Sequence, residues 1–396
     1  MPGSVLVAGA RTPIGKLSGA LASFSSADLG GLAIKAALAR AGVSPDAIDA
    51  VLMGQVILAG AGQMPARQAA VKGGIPMKVP ATTVNKACLS GLDTIAWADQ
   101  MISLGQADIV VAGGMESMTN APHLMVGARA GYRLGNATLH DAMFHDGLDC
   151  ALEHCSMGQS TERSLVKLGG ISRERQDAFS AASHERAAAA TKDGRLAEEI
   201  EPVSVAQRKG DPILVETDEG VRPGTTADSL GSLRPAFEAD GTLTAGNASQ
   251  ISDGAAAVVV MSKAKAEELG VTPLAEIVSY ASVAGPDDTS LLLQPANSTR
   301  KALAAAGMSL EQIDLFEMNE AFAAVVLASM DELGTPHDVV NVNGGAVALG
   351  HPVGMSGTRV ALSMALELRR RGGGIGAASL CGGGGQGEAM ILRSLS

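Results

Sequence analysis

Aromatic residues are nearly missing from this chain: six Phe, two Tyr and one Trp among 396 residues, 2% in all. A reader of single-stranded nucleic acid needs stacking platforms, so that class is excluded. Surplus positive charge is missing too. The formal net charge is −11, whereas a phosphate backbone calls for a basic surface. A phosphorylated small molecule remains compatible with an acidic protein that gathers a few Arg and Lys locally. No apolar run approaches about 18 uninterrupted residues, so no membrane span is expected. The sequence enters what reads as a strand at Ser4, and no signal or transit peptide is expected ahead of it. Cysteine is scarce. Four in a chain this long do not make a disulfide framework, and a reducing cytoplasm is the expected compartment.

What is present is a globular composition, 46% hydrophobic and 18% charged, with 49 glycines for tight backbone turns. The length implies two to three domains. Strand-like runs alternate with helix-length segments, the pattern of α/β layering. In the first part, strands are predicted at 5–10, 50–54, 82–84 and 109–113. Helices are predicted at 28–41, with Ser25 and Ser26 as caps and Gly42 as the stop, and at 90–104. In the last part, strands are predicted at 276–284, 315–317, 339–342 and 375–380, and helices at 298–306, 321–333 and 356–371.

These segments hint at an internal repeat. Strand 82–84, Cys88, the helix opened by Ser90-Gly91 and a strand into Ala112-Gly113-Gly114 correspond to strand 339–342, His351, the helix opened by Ser356-Gly357 and a strand into Cys381-Gly382-Gly383. Repeated βαβ units pack with their loops facing one crevice. Residues 115–248 differ in texture. They hold charge clusters such as Arg173-Glu174-Arg175 and a helix-like run at 178–190, and read as an inserted loop domain. On this division, residues 1–114 form one core half, completed by about 249–270, and residues 271–396 form the other.

Chemistry-bearing residues sit among small ones, where backbone amides can approach a ligand. Cys88 precedes a predicted helix, whose N-terminus would stabilise a thiolate and hold its pKa at roughly 3.5–7.5. An isolated free cysteine is more often a small buried residue; Ser90-Gly91 and the other motifs point instead to a nucleophile. His351 precedes Pro352, which disfavours helical geometry and suggests a loop base. Cys381 stands before four glycines, whose amides could face an oxyanion, although a flexible turn is the plainer alternative. Asn319 adds a neutral donor. A nucleophilic thiol, a base and a second thiol suit carbon–sulfur and carbon–carbon chemistry on a thioester.

Along nearly its whole length the chain resembles the thiolases. The resemblance rests on Ala10-Arg11-Thr12-Pro13-Ile14-Gly15-Lys16, the Cys88 segment, Gly113-Gly114-Met115-Glu116-Ser117-Met118 and Arg222-Pro223-Gly224-Thr225-Thr226. It continues through Gly246-Asn247-Ala248-Ser249, Asp253-Gly254-Ala255-Ala256, Asn319-Glu320-Ala321-Phe322, and the His351 and Cys381 motifs. Pro122-His123-Leu124 and Gly131-Tyr132-Arg133-Leu134-Gly135 further resemble the loop of biosynthetic acetoacetyl-CoA thiolases. The resemblance implies an α/β thiolase fold of two duplicated βαβ-rich core halves, with sheets covered by helices, plus the inserted loop domain. It also implies a homotetramer built from dimers, working on acetyl-CoA and acetoacetyl-CoA without a further cofactor or metal.

By the same resemblance Cys88 is acylated, His351 activates it, and Cys381 exchanges the α-carbon proton of the second acetyl group. One oxyanion hole would use His351 with a water held by Asn319, the other the amides of Cys88 and Gly383. Ser249 would contact pantetheine, Met157, Ala321 and Phe322 would line its channel, and Arg222 would lie near the adenosine end. Two segments depart from the family. Ser156-Met157-Gly158 stands where many biosynthetic members read His-Met-Gly, and Leu291-Leu292-Leu293-Gln294-Pro295 replaces Met-Gly-Thr-Gly-Pro. The leucines are expected to wall off the acyl pocket and sharpen a short-chain preference. Three other readings compete: a broader-chain 3-ketoacyl-CoA thiolase, a β-ketoacyl carrier-protein synthase, and a non-catalytic thioester or lipid carrier. The Cys381-Gly-Gly loop argues against the synthase, and the joint presence of Cys88, Asn319, His351 and Cys381 against the carrier. A metal site from His140, His145, Cys150, His154 and Cys155 lacks a paired-ligand spacing.

Overall fold

Alternation along fully buried strands decides the layers. The computed structural model describes residues 3–286 and 288–395. Its main strands are β1 (Ser4–Arg11), β2 (Ala50–Gly54), β3 (Ala81–Val84), β4 (Ile109–Ser117) and β5 (Ser252–Ser262). β6 (Ala275–Ala284), β7 (Leu315–Met318), β8 (Ile375–Gly382) and β9 (Gln386–Ser394) follow. The main helices are α1 (Ser26–Ala41), α2 (Pro65–Lys72), α3 (Ser90–Ser103), α4 (Met157–Leu168) and α5 (Arg173–Lys192), then α6 (Gln294–Ala306), α7 (Ala323–Leu333) and α8 (Ser356–Arg370). Val5, Val51, Val111 and Val259 face α1 and α2 in one apolar cluster. Their neighbours Leu6, Leu52, Val110 and Val258 face α3 and α8 in a second, which Leu380 and Met390 join from the other end of the sheet. Ala377, Cys381, Ala389 and Ile391 turn the opposite way, onto α6 and α7. Period two thus sends alternate side chains into separate layers, with α3 and α8 sandwiched in the middle. Each buried Val or Leu contributes on the order of 1.5–3 kcal/mol.

The sheet runs in the order β7-β8-β9-β6-β1-β5-β4-β2-β3, with Gly15–Lys16 pairing onto β5. Its two halves meet at β1 and β6 through only two paired positions, Val5 with Glu276 and Leu6 with Ala275. On either side of that junction the pairings repeat. β4 lies antiparallel to β5 and parallel to β2, while β8 lies antiparallel to β9 and parallel to β7. The duplication legible in the sequence is therefore present in the sheet.

One expected strand is absent. Residues 339–342 make a single parallel bridge, Val340 to Phe316, after a 3-10 turn at His337–Val339. Asn341 accounts for the difference. It has φ 49°, outside strand geometry, and its side chain replaces a ladder partner: Oδ1 accepts from the Met318 amide and Nδ2 donates to the Met318 carbonyl, each at 2.8 Å. The helix expected from Ala321 starts at Ala323. Ala321 and Phe322 instead run extended beside Asn247–Ser249, where the Ser249 amide donates to the Ala321 carbonyl at 3.0 Å. That pairing brings Ser249 and Phe322 together.

Between β4 and β5, residues 118–251 hold α4, α5 and three two-stranded hairpins. β4 continues to Ser117, past the strand end expected at 113, because Met115 and Glu116 stay buried and paired to β5. No helix among the described residues is long and apolar enough to cross a membrane.

Candidate active site

Cys88 and Cys381 arrive from opposite halves of the sheet. Cys88 lies in the connection from β3 to α3, after Ala87 at φ 50°. Cys381 is fully buried near the end of β8. Between them the glycines have a steric use. A Cβ on Gly382 would overlap the Leu89 side chain, and one on Gly385, at φ 68°, would meet the Asp288 carbonyl. The run is a specified turn that lets the Cys381 segment close on the Cys88 loop. The Gly383 amide lies close enough to the Cys88 sulfur to favour its thiolate, and the two thiols interact electrostatically.

The expected low thiol pKa is not found. Burial pushes the Cys88 thiol up to about 11, the nearby Glu116 carboxylate adds to this, and the amides of Cys88 and Gly383 offset it only in part. Helix α3 starts at Ser90, two residues past the sulfur, so its dipole does not outweigh desolvation. Burial also drives the Cys381 thiol well above its ordinary value, reinforced by Cys88. Cys88 therefore rests as a thiol and requires a base.

His351 is suited to that task. Burial, with Arg359 nearby, lowers its pKa to about 3, so the imidazole is neutral. Ser356 hydroxyl donates to the Pro352 carbonyl at 3.0 Å and so accepts from His351 Nδ1 at 2.6 Å. This assigns the proton to Nδ1 and leaves a lone pair on Nε2. The Asn319 amide nitrogen lies 3.4 Å from Nε2, and its buried Oδ1 has no partner among the described residues. The His351–Gly354 turn is anchored by Glu116. This buried carboxylate accepts from the amides of Gly354 at 3.1 Å, Val56 at 2.9 Å and Ile57 at 3.2 Å, while desolvation raises its pKa to about 7. Cys88 packs against the apolar cluster that includes Val353 of that turn, and Leu148 and Ile251 pack against the same cluster.

Leu148 and Ile251 also line a cavity of about 510 Å³, together with Lys16, Ser156, Met157, Phe237, Ser249 and Phe322. The cavity holds three of the five residues expected to contact coenzyme A, Met157, Ser249 and Phe322. Ala321 sits behind it, buried and bonded through its carbonyl to Ser249. Arg222 is exposed and absent from the lining; its amide donates to His184 Nδ1 at 3.2 Å. Lys16, exposed at the wall, is the cation that lines the cavity. Ser156 takes a structural part, capping α4 reciprocally with Gln159. Leu291 and Leu292 are buried in the cluster that holds Ala321, Phe322 and Cys381, and neither lines the cavity. Among the described residues no three His, Cys, Asp or Glu side chains could share a metal ion.

The sequence matches the model of the thiolase N-terminal domain over residues 4–264 and that of the thiolase C-terminal domain over residues 271–394. The chain belongs to the thiolase family. It is 58% identical over 395 residues to a probable acetyl-CoA acetyltransferase of Mycobacterium tuberculosis, covering 100% of both chains. It is 50% identical to the acetyl-CoA acetyltransferase of Cupriavidus necator and 51% identical to that of Chromobacterium violaceum, covering 98% of each chain in both comparisons. Sequence reasoning singled out Cys88, Asn319, His351 and Cys381 but missed Ser356 as the partner of His351, and Glu116 as the anchor of its turn. Both lie within quoted motifs, Ser356 only as a helix opener.

Proposed function

We propose that this thiolase is an acetyl-CoA C-acetyltransferase, joining two acetyl-CoA into acetoacetyl-CoA and free CoA, reversibly and by a ping-pong route. The observation that carries the proposal is the convergence of two thiols from opposite sheet halves, with a neutral histidine of fixed tautomer in the turn whose Val353 belongs to the cluster Cys88 packs on. His351 Nε2 takes the Cys88 proton as sulfur attacks the acetyl carbonyl. The tetrahedral oxyanion rests on the amides of Cys88 and Gly383. Coenzyme A then leaves with the proton of Cys381. The acetyl group is now on Cys88, with a thiolate at Cys381 and an imidazolium at His351.

A second acetyl-CoA loses its α-proton to Cys381. Burial makes that thiolate a strong base, which a weak carbon acid demands. The enolate is stabilised by His351 and a water held by Asn319, and attacks the acetyl-enzyme. Cys88 departs and recovers its proton from His351, so every proton is returned. Met157, Ser249, Ala321 and Phe322 serve the pantetheine arm, and Arg222 and Lys16 the nucleotide end. No cofactor beyond the thioester substrates takes part. The resemblance around residues 122–135 supports a homotetramer, with a place in fatty-acid metabolism in the cytoplasm. The test is thiolysis of acetoacetyl-CoA by the purified protein. Wild type should consume it with free CoA, acetyl-CoA alone should add one acetyl mass at Cys88, and Cys88→Ala should abolish both. A wild type lacking both reactions rejects the proposal.

A further inference from the structure

A buried polar cluster behind the two thiols has no part in the steps above. Lys86, two residues before Cys88, ion-pairs with Glu388 of β9. Its Nζ also lies 3.2 Å from Asp93 Oδ1 in the first turn of α3 and 3.2 Å from Ser282 Oγ on β6. Tyr280 of β6 donates to Asp93 at 2.7 Å. Glu388 is fully buried, Asp93 nearly so, and Lys86 half-buried. Lys86 and Asp93 belong to one half of the sheet, Glu388, Tyr280 and Ser282 to the other.

The register gives the cluster its meaning. On β9, Glu388 pairs with Leu380 and its neighbour Gly387 pairs with Cys381. A contact from Lys86 to Glu388 therefore joins the backbone that carries one thiol to the backbone that carries the other. Nothing covalent links these loops nearby, and the halves share only two paired strand positions. The Cys88 loop is held from within as well, by the Lys86 amide on Ser90 Oγ at 2.8 Å. Shifting Lys86 would thus shift Cys88 as a unit.

We propose that Lys86 and Glu388 are positioning residues that set the separation of the Cys88 and Cys381 thiols, and with it the carbon–carbon bond-forming step. Building on the proposed activity, this assigns residues beyond the reacting groups. Acetylation of Cys88 needs the thiol, His351, the Gly383 amide and a proton that Cys381 can pass to the departing coenzyme A directly or through one water. Condensation additionally needs the acetyl carbon held within attacking distance of a carbanion formed at Cys381. Near-attack geometry is exacting, and a misplacement of about 1 Å can cost on the order of 100-fold. Condensation is therefore the step that loosening this link should damage most.

Lys86→Met, Glu388→Gln, Lys86→Arg and the double variant Lys86→Met/Glu388→Met, all in the full-length protein, test the idea. A single loss strands a buried charge and destabilises the fold. The double variant removes both of these charges and leaves Asp93 to Tyr280, so its melting temperature should lie above that of Lys86→Met, which strands Glu388 as well. Its kcat for condensation should remain on the order of 100-fold down, with KM for acetyl-CoA and acetyl-Cys88 formation by mass close to wild type. Lys86→Arg should restore condensation. A stably folded double variant that condenses at the wild-type rate would overturn the proposal, as would parallel losses in acetylation and condensation. A wild type that neither acetylates nor condenses rejects the activity itself, a separate result.

Discussion

Desolvation, rather than the dipole of α3, governs the nucleophile. With its pKa pushed up to about 11, Cys88 carries almost no thiolate near neutrality in the free enzyme. Alkylation of Cys88 by iodoacetamide should therefore accelerate steadily with pH past 9, and acetyl-CoA should protect it. A rate that levels off near pH 7 would instead reveal a thiolate–imidazolium pair and contradict this account. His351 makes the complementary point: a folded pKa near 3 leaves it neutral across the working range, so no acid limb should appear between pH 5 and 8. Its tautomer depends on one hydroxyl. Ser356→Ala should lower kcat about tenfold or more with little change in KM, because a mis-set base loses part of a general-base contribution of about 10²–10⁴. An unchanged kcat would show that another group orients the ring.

At the scale of elements, burial on both faces made the strands legible. β2 falls at 50–54 as expected, and β1, β4 and α3 differ from expectation only at their ends. α1 has the predicted Ser25 cap, closed reciprocally with Asp28, and the left-handed Gly42 at its end. Where side chains do the work of backbone, the pattern misleads. Val339–Val342 has the composition of a strand, yet Asn341 occupies the left-handed region and holds Met318 through its amide group. Asn341→Ala would strand the Met318 amide and carbonyl, remove a 2.9 Å bond to the buried Glu320 carboxylate, and place alanine at positive φ. Two orphaned groups at about 1–3 kcal/mol each predict a loss near 3 kcal/mol. Chemical denaturation measures it; a loss below about 1 kcal/mol would mean that the β7 edge rearranges freely.

Over the whole molecule, the loops were readable and their mutual arrangement was not. The Cys88, His351 and Cys381 motifs are local strings of small residues, and each declares its reactive group. Their partners come from distant segments. Glu388 belongs to no motif singled out in the sequence, and Glu116 to one without a task, until the sheet halves fold together and bury both. Substrate length is expected to depend on what lies behind the cavity as well. Leu291 and Leu292 occupy the apolar cluster that backs Phe322 and Cys381, filling space where the family pattern places smaller residues. A longer acyl chain would have to displace them, whereas lining leucines would have offered each methylene about 0.8 kcal/mol of burial. The ratio of kcat/KM for acetoacetyl-CoA to that for 3-ketooctanoyl-CoA should exceed one in wild type and fall in Leu291→Ala. That variant should also lose about 2–5 kcal/mol of stability from the void it opens. A wild type that prefers the eight-carbon substrate would reject the short-chain specificity while leaving membership of the family intact, and a ratio unchanged by Leu291→Ala would move the specificity wall elsewhere.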